Sequence, residues 1–318
     1  MGDERTVLVL TQPYDVTADY VVAELAARDV PIFRCDPGDF PRTLTLVAQS
    51  GGGWRGSLRL PGRRAALHDL GCAYYRRPTA FELPAHLTDE ERRWATREAR
   101  MGLGGVLAAH PLWLNHPHDI ARAEYKPVQL AAAGTVGLSA PPTLITNEPA
   151  AAERFVREHG GAVVKPLGSG VIAEAGTAKL IYTNRVCAEE IDHTVAGTAH
   201  LFQQQVDKAY EVRLTVVDDA WFAVRIDGAS QATGLDWRTD YDALSYSVVT
   251  VPEAIRAAVS RLLARLRLRF GALDFIVTPH DEWIFLEINP NGQWAWLQDA
   301  TGLPIAAAIA DALTKETT

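Results

Sequence analysis

Phe270-Gly271-Ala272-Leu273-Asp274-Phe275-Ile276-Val277, a turn through Pro279-His280-Asp281-Glu282, and then Trp283-Ile284-Phe285-Leu286-Glu287-Ile288-Asn289 decide how this chain is read. Aromatic and β-branched residues on both sides of a polar, proline-containing turn specify a β-hairpin. Centring the loop between His280 and Asp281 sets Asp274 opposite Glu287. Directly opposed side chains place their Cβ atoms roughly 4.5–5.5 Å apart. Alternate residues of a strand share a face, so Glu287 and Asn289 project together. Two carboxylates and an amide oxygen therefore converge on one patch. Opposed like charges destabilise a hairpin, and the apolar neighbours raise that cost by burial. A hard divalent cation would remove the conflict. One or two carboxylates, completed by phosphate oxygens and water, describe Mg²⁺ held with a nucleotide. From geometry alone a solvent-facing carboxylate pair without a role explains the pattern equally well.

Composition sets the frame around this hairpin. The chain has 318 residues, 47% hydrophobic and 22% charged, which suffices for two or three compact units. Its formal net charge of -8 argues against nucleic acid or an anionic membrane as the main partner. Cys35, Cys72 and Cys187 form no CxxC pair, which excludes a zinc ribbon or a redox dithiol and fits a reducing compartment. The opening MGDERTVLVL lacks the features of a signal peptide, and no apolar run reaches the length of a membrane span. A cytoplasmic location is expected.

Working outward, hydrophobic periodicity gives an α/β (α+β) chain in three units. Residues 1–113 open with strand 7–10, helix 19–28 and strand 31–34, a βαβ start. A hairpin at 44–47 and 54–60 and a strand at 73–76 follow. Thr88, with Glu91 as its capping-box partner, opens a helix expected to run to about 107. No GxGxxG follows the first strand, which excludes a Rossmann dinucleotide site. Residues 114–200 hold a helical stretch from 119 that Pro127 divides, a helix at 151–159, and strands at 162–165 and 179–182. Residues 201–318 hold strand 201–206, a hairpin at 211–217 and 221–226, helix 252–267, the last hairpin and a closing helix at 303–313.

Chemistry-bearing residues punctuate this order. Lys165 ends a strand and precedes Gly168-Ser169-Gly170, a loop whose backbone N–H groups can approach an anion. Lys126 stands at an expected helix N-terminus, where an anion is favoured. Arg213 falls opposite Val224 in the 211–226 hairpin, so Arg213 and Arg225 are expected on different faces. Taken singly, each is more readily an ordinary surface residue than a ligand.

The succession is more specific than its parts. Lys126, then Val163-Val164-Lys165-Pro166, Phe202-Gln203-Gln204-Gln205-Val206, Glu211-Val212-Arg213, Asp274-Phe275 and Phe285-Leu286-Glu287-Ile288-Asn289-Pro290 resembles the ATP-grasp superfamily over nearly the whole chain. Tyr75-Arg76-Arg77-Pro78, Asp236-Trp237-Arg238 and the ending Asn289-Pro290-Asn291-Gly292-Gln293-Trp294 resemble, within it, the graspetide (microviridin-type) peptide maturases. The resemblance implies an ATP-grasp fold, with an N-terminal pre-ATP-grasp domain followed by central and C-terminal domains that clamp ATP. It implies that Lys126 and Lys165 contact ATP phosphates, that Gln204, Gln205 and Val206 form the adenine hinge, and that Glu211 reaches the ribose. Asp274, Glu287 and Asn289 would hold Mg²⁺. Arg213, Arg225 and Arg238 would serve the acyl phosphate and the peptide carboxylate, with Arg76, Arg77 and Asp236 as further peptide contacts. The partner implied is a ribosomal precursor peptide, leader plus core, with residues 171–185 as the leader surface; a homodimer is expected. Two other readings stand beside this one. The first is an ATP-grasp ligase for amino acids or small carboxylates. The second is a nucleotide- and peptide-binding module without turnover.

Overall fold

The computed structural model describes residues 5–168, 171–174, 177–181, 183–228 and 244–315. The chain begins with a parallel sheet in the order Ile32–Cys35, Thr6–Leu10, Leu70–Tyr75. The first helix, Val16–Ala27, starts three residues before its expected position because Asp15 caps it, accepting a hydrogen bond from Ala18 N. The hairpin that follows gains a third strand, so Thr45–Ser50, Trp54–Leu60 and Arg63–Ala66 form an antiparallel sheet. The capping box of Thr88 and Glu91 is present, and it opens the Asp89–Ala99 helix. The expected continuous helix widens to π geometry over Arg100–Gly104 before Gly105–Ala108 completes it. Three glycines in this stretch make the α-helical ladder weak.

Proline divides the next helical stretch as expected. Pro117–Ala123 ends, and Lys126–Val136 begins with Pro127 in its first turn and closes at left-handed Gly137 (φ 85°). An antiparallel sheet in the order Asn184–Val186, Ala162–Lys165, His200–Gln204, Thr143–Thr146 packs on the Pro149–Glu158 helix around Val156 and Phe202. The strand expected at 179–182 is Thr177–Leu180, paired with Val171–Glu174; Tyr182, Ser169 and Gly170 lie outside the described residues.

The largest sheet is antiparallel, in the order Leu244–Val248, Ala220–Gly228, Tyr210–Val217, Phe270–Val277, Trp283–Asn289. Its strands alternate in what they bury, so both faces carry a core. Val212, Leu214, Leu273 and Phe275 meet the Glu253–Leu266 and Lys126–Val136 helices. Val224, Phe270 and Ala272 meet Trp294, the Ile305–Thr314 helix and, from the start of the chain, Val9, Val21 and Leu25. The first parallel sheet and the last antiparallel one thus share a core, and the 289–294 segment runs between them. Among the described residues, no helix is long and apolar enough to cross a membrane.

Candidate active site

Asp274 does lie opposite Glu287, but by a different route from the one the turn implies. Next to the turn, Val277 pairs with Trp283, Ile276 with Ile284 and Phe275 with Phe285. Continued unbroken, that register would set Leu286 against Asp274. A β-bulge leaves Leu286 unpaired and moves the ladder on by one residue. It also resets the alternation. Phe285 and Ile288 are both buried in the core, so Leu286 and Glu287 turn to the other side, toward the cleft.

The carboxylates are not left to repel one another. Glu287 is paired with Lys126 Nζ, and Arg213 Nη1 lies 2.8 Å from each oxygen of Asp274. Protein cations therefore answer the like-charge conflict that pointed to a metal in the sequence. Lys126, Asp274 and Glu287 share a cleft with a volume of about 490 Å³, within the usual range for small-molecule sites, and Arg213 adjoins it through its pair with Asp274. Lys126, Asp274, Glu287 and Asn289 line one wall. Lys165, Pro166, Leu167 and Gly168 line another, and Glu211 reaches it as well.

Each of these groups is held from outside the hairpin. Lys126 opens the Lys126–Val136 helix, and one turn on, buried Gln129 grips the strand that carries Glu287. Its amide donates to Ile288 O at 2.8 Å and accepts from Ile288 N at 3.0 Å. Lys165 Nζ donates to Gln203 Oε1 at 2.9 Å, and the Gln203 amide donates in turn to Thr143 Oγ1 at 3.0 Å. Glu211 is paired with Lys208. Glu124, also in the cleft wall, has its carboxyl raised by burial. None of Gln129, Gln203, Lys208 and Glu124 was singled out from the sequence. A glutamine inside the otherwise apolar helical run 127–133 was the one available sign.

The remaining expected residues divide. Gln204 N donates to Pro142 O at 2.9 Å, but Gln204, Gln205 and Val206 are absent from the described lining of the cleft. Arg225 is on the opposite face of the sheet from Arg213, as the alternation required. It lies 4.1 Å over the Tyr210 ring and is bonded to Asp227 at 2.6 Å, so the structure does not bring it to the cleft. Arg77 lines the cleft, and burial together with the charge of Arg76 lowers its pKa. Arg76 is among the residues that line the same cleft. Its side chain is wholly buried and its guanidinium is bonded to Asp15, Asn291, Gly292 and Gln293. Asp236 and Arg238 lie outside the described residues, and so does Trp237.

The donor set suits one kind of metal. Asp274, Glu287 and Asn289 offer hard oxygens, although Asn289 Oδ1 already accepts from Asn291 N at 2.9 Å. Two carboxylates and an amide leave a six-coordinate cation short of ligands, which phosphate oxygens and water would complete. That is the composition of a nucleotide-bound Mg²⁺ site rather than of a self-sufficient protein cage. Among the described residues no group of three or more His, Cys, Asp or Glu could hold a metal alone.

This fold is that of an ATP-grasp ligase. The family profile described as the MvdD pre-ATP grasp domain matches residues 6–121. A Chryseobacterium gregarium RiPP-associated ATP-grasp ligase, solved with ADP and a leader and core peptide, is similar at TM-score 0.90 and 28% identity, covering 99% of this chain and 98% of that one. The macrocyclase MdnC of Microcystis aeruginosa MRC, solved with precursor peptide MdnA, gives 0.85 and 29%, with 97% and 99% covered. The macrocyclase MdnB of the same organism gives 0.81 and 31%, again with 97% and 99% covered. Among curated proteins nothing matches. The chain belongs to this family of RiPP-associated ATP-grasp ligases and macrocyclases, and it is an enzyme.

Proposed function

We propose that this ligase uses ATP to phosphorylate Asp or Glu side chains of a ribosomal precursor peptide. It then closes each acyl phosphate onto a Thr, Ser or Lys side chain of the same peptide. The products are an ω-ester or amide cross-link, ADP and phosphate. The observation that carries this reading is the pairing on the cleft wall. Lys126 with Glu287 and Arg213 with Asp274 place two cations and two carboxylates together, and Lys165 lies in the same cleft. The solved relatives bear ADP with leader and core peptide, or a precursor peptide.

The roles follow from charge. A carboxylate is a poor electrophile, and its attack on a phosphate brings two anions together. Lys126 and Lys165 hold the phosphates and offset that repulsion. Mg²⁺, held by Asp274, Glu287 and Asn289, would supply further neutralisation of phosphate charge. Arg213 is fixed by Asp274, so its guanidinium is preorganised for the acyl phosphate and the tetrahedral species that follows. Glu211, with Gln204 to Val206, serves the nucleoside. Binding donor and acceptor on one peptide makes the closing attack effectively unimolecular. Arg77 faces the cleft as a contact for an acidic core. The loop from Gly168 excludes water that would hydrolyse the acyl phosphate. Arg238, with Asp236, completes the carboxylate contacts, and residues 171–185 receive the leader. We assign residues 1–113, 114–200 and 201–318 to the pre-ATP-grasp, central and C-terminal units.

The test is to incubate the protein with ATP, Mg²⁺ and peptides encoded beside its gene. Mass spectrometry should show loss of whole waters from one peptide, with ADP and not AMP produced. AMP would overturn the acyl-phosphate route. ADP release with free amino acids and none with peptide would favour a small-molecule carboxylate–amine ligase.

A further inference from the structure

Arg76 follows the Leu70–Tyr75 strand, and its residue surface is 2% exposed. Burying an arginine is costly unless its donors are satisfied, and a guanidinium has five. Nε donates to Asp15 Oδ2 at 3.3 Å. Nη1 donates to the carbonyls of Asn291 and Gly292, each at 3.3 Å, and Nη2 to Gln293 Oε1 at 3.1 Å. Three of these four acceptors belong to the single segment 291–293. The clasp is reciprocal, since Asn291 Nδ2 donates to Arg76 O at 3.3 Å. Asp15 is itself fixed by Thr11 Oγ1 at 2.6 Å and by Ala18 N at 3.2 Å, and Thr17 Oγ1 also donates to Gln293 Oε1. The anchor is therefore rooted in the first strand and helix of the chain.

The clasped segment leads directly to Asn289 in the cleft lining and to Arg213, the partner of Asp274. Asn291 N donates to Asn289 Oδ1 at 2.9 Å, and Gln293 O accepts from Arg213 Nη2 at 3.2 Å. Little slack separates them. A Cβ placed on Gly292 would lie 2.8 Å from Arg213 Nη2 and would meet the Ala272 side chain. We infer that Arg76 is a positioning residue, which aims Asn289 and Arg213 at the reacting phosphates by fixing residues 291–293 against the N-terminal sheet. Lysine keeps the charge and can reach Asp15, but a point charge cannot span two carbonyls and an amide oxygen as the planar fork does.

This inference rests on the reading of Asn289 and Arg213 given above, and the test separates the two. Wild-type protein without Mg²⁺- and peptide-dependent ADP release would refute that reading, whatever Arg76 does. Given wild-type activity, Arg76→Lys is compared with it in two measurements. In the first, the Mg²⁺ concentration that half-saturates the ADP-induced rise in Tm should increase about tenfold, the scale on which partners of metal ligands act. In the second, ADP release per folded molecule should fall about tenfold or more, and by clearly less when Arg76→Lys is added to Asn289→Ala, where only the route through Arg213 remains. A residue with a merely structural role would lower the folded fraction, leave the Mg²⁺ half-saturation unchanged and give multiplying losses; that result overturns the inference. If Arg76→Lys does not fold, Gln293→Ala keeps the Arg76–Asp15 pair and removes one arm of the clasp. It should raise the Mg²⁺ half-saturation in the same direction, and an unchanged value would equally overturn the inference.

Discussion

Replacing Gln129 by leucine removes one amide from the interior and strands the groups it serves. Trp283–Asn289 is the edge strand of its sheet, and an edge presents unpaired backbone groups. Gln129, 3% exposed, takes the place of the missing neighbour by binding both Ile288 N and Ile288 O, and it also donates to Ala123 O at 2.7 Å. Leucine is similar in size but has neither donor nor acceptor. A buried polar group left without its partner costs about 1–3 kcal/mol. The two stranded groups of Ile288 therefore predict a loss of about 2–6 kcal/mol for Gln129→Leu. Against a usual net stability of about 5–15 kcal/mol, the urea midpoint should move far enough to measure without ambiguity. Ile288 lies between Glu287 and Asn289, so ADP release per folded molecule should fall as well. A loss below about 1 kcal/mol, the worth of one ordinary hydrogen bond, would refute the claim that this amide holds the strand.

Other outcomes follow from the same geometry. Glu287→Gln keeps the shape of the cleft wall but loses the charge that pairs with Lys126. It should abolish peptide dehydration while circular dichroism stays native, and retained activity would remove Glu287 from the site. Gly292→Ala forces a methyl against Ala272 and Arg213, so it should cost about 1–3 kcal/mol by overpacking and slow ADP release; a neutral thermal melt would count against the tight contact. Burial alone would raise the Asp15 carboxyl, yet the charge of Arg76 and hydrogen bonds from Thr11, Arg76 and Ala18 hold it below the ordinary value of 3.8. Its folded pKa is thus the lower one. The stabilisation is complete above about 3.8 and is lost as pH falls through the folded value. Asp15→Asn should be less stable at neutral pH and show a shallower acid limb in stability against pH, whereas parallel limbs would refute the assignment.

How far the site could be read in advance depended on whether the deciding interaction was local. Arg213 and Arg225 were separable because a period of two needs only the hairpin's register, and Glu211 against Ile226 is that register. Asp274 was placed against Glu287 correctly, although two departures offset each other. The turn pairs one residue short of the assumed centre, and the bulge at Leu286 restores the count. A bulge is a backbone event that FLEIN does not announce. Arg76 shows the opposite case. In YYRRP it reads as a surface residue, and only the return of residues 291–293 from the far end of the chain buries it. The early start of the first helix was missed for a related reason, since Asp15 serves at once as its cap and as the partner of Arg76. The Arg63–Ala66 strand was missed because it carries two arginines and no apolar alternation.

The two ion pairs at the cleft, Lys126 with Glu287 in its lining and Arg213 bound to the lining residue Asp274, bear on how a nucleotide enters. Lys126 and Arg213 are held by Glu287 and Asp274, so neither cation waits as a bare positive lure. On the proposed reading, Lys126 would be shared between Glu287 and an incoming phosphate, and Glu287 and Asp274 would be the residues left to hold the accompanying cation. The nucleotide would then meet two neutral pairs rather than two bare cations. Association should then respond only gently to ionic strength, in contrast to the steep salt dependence of an open basic groove.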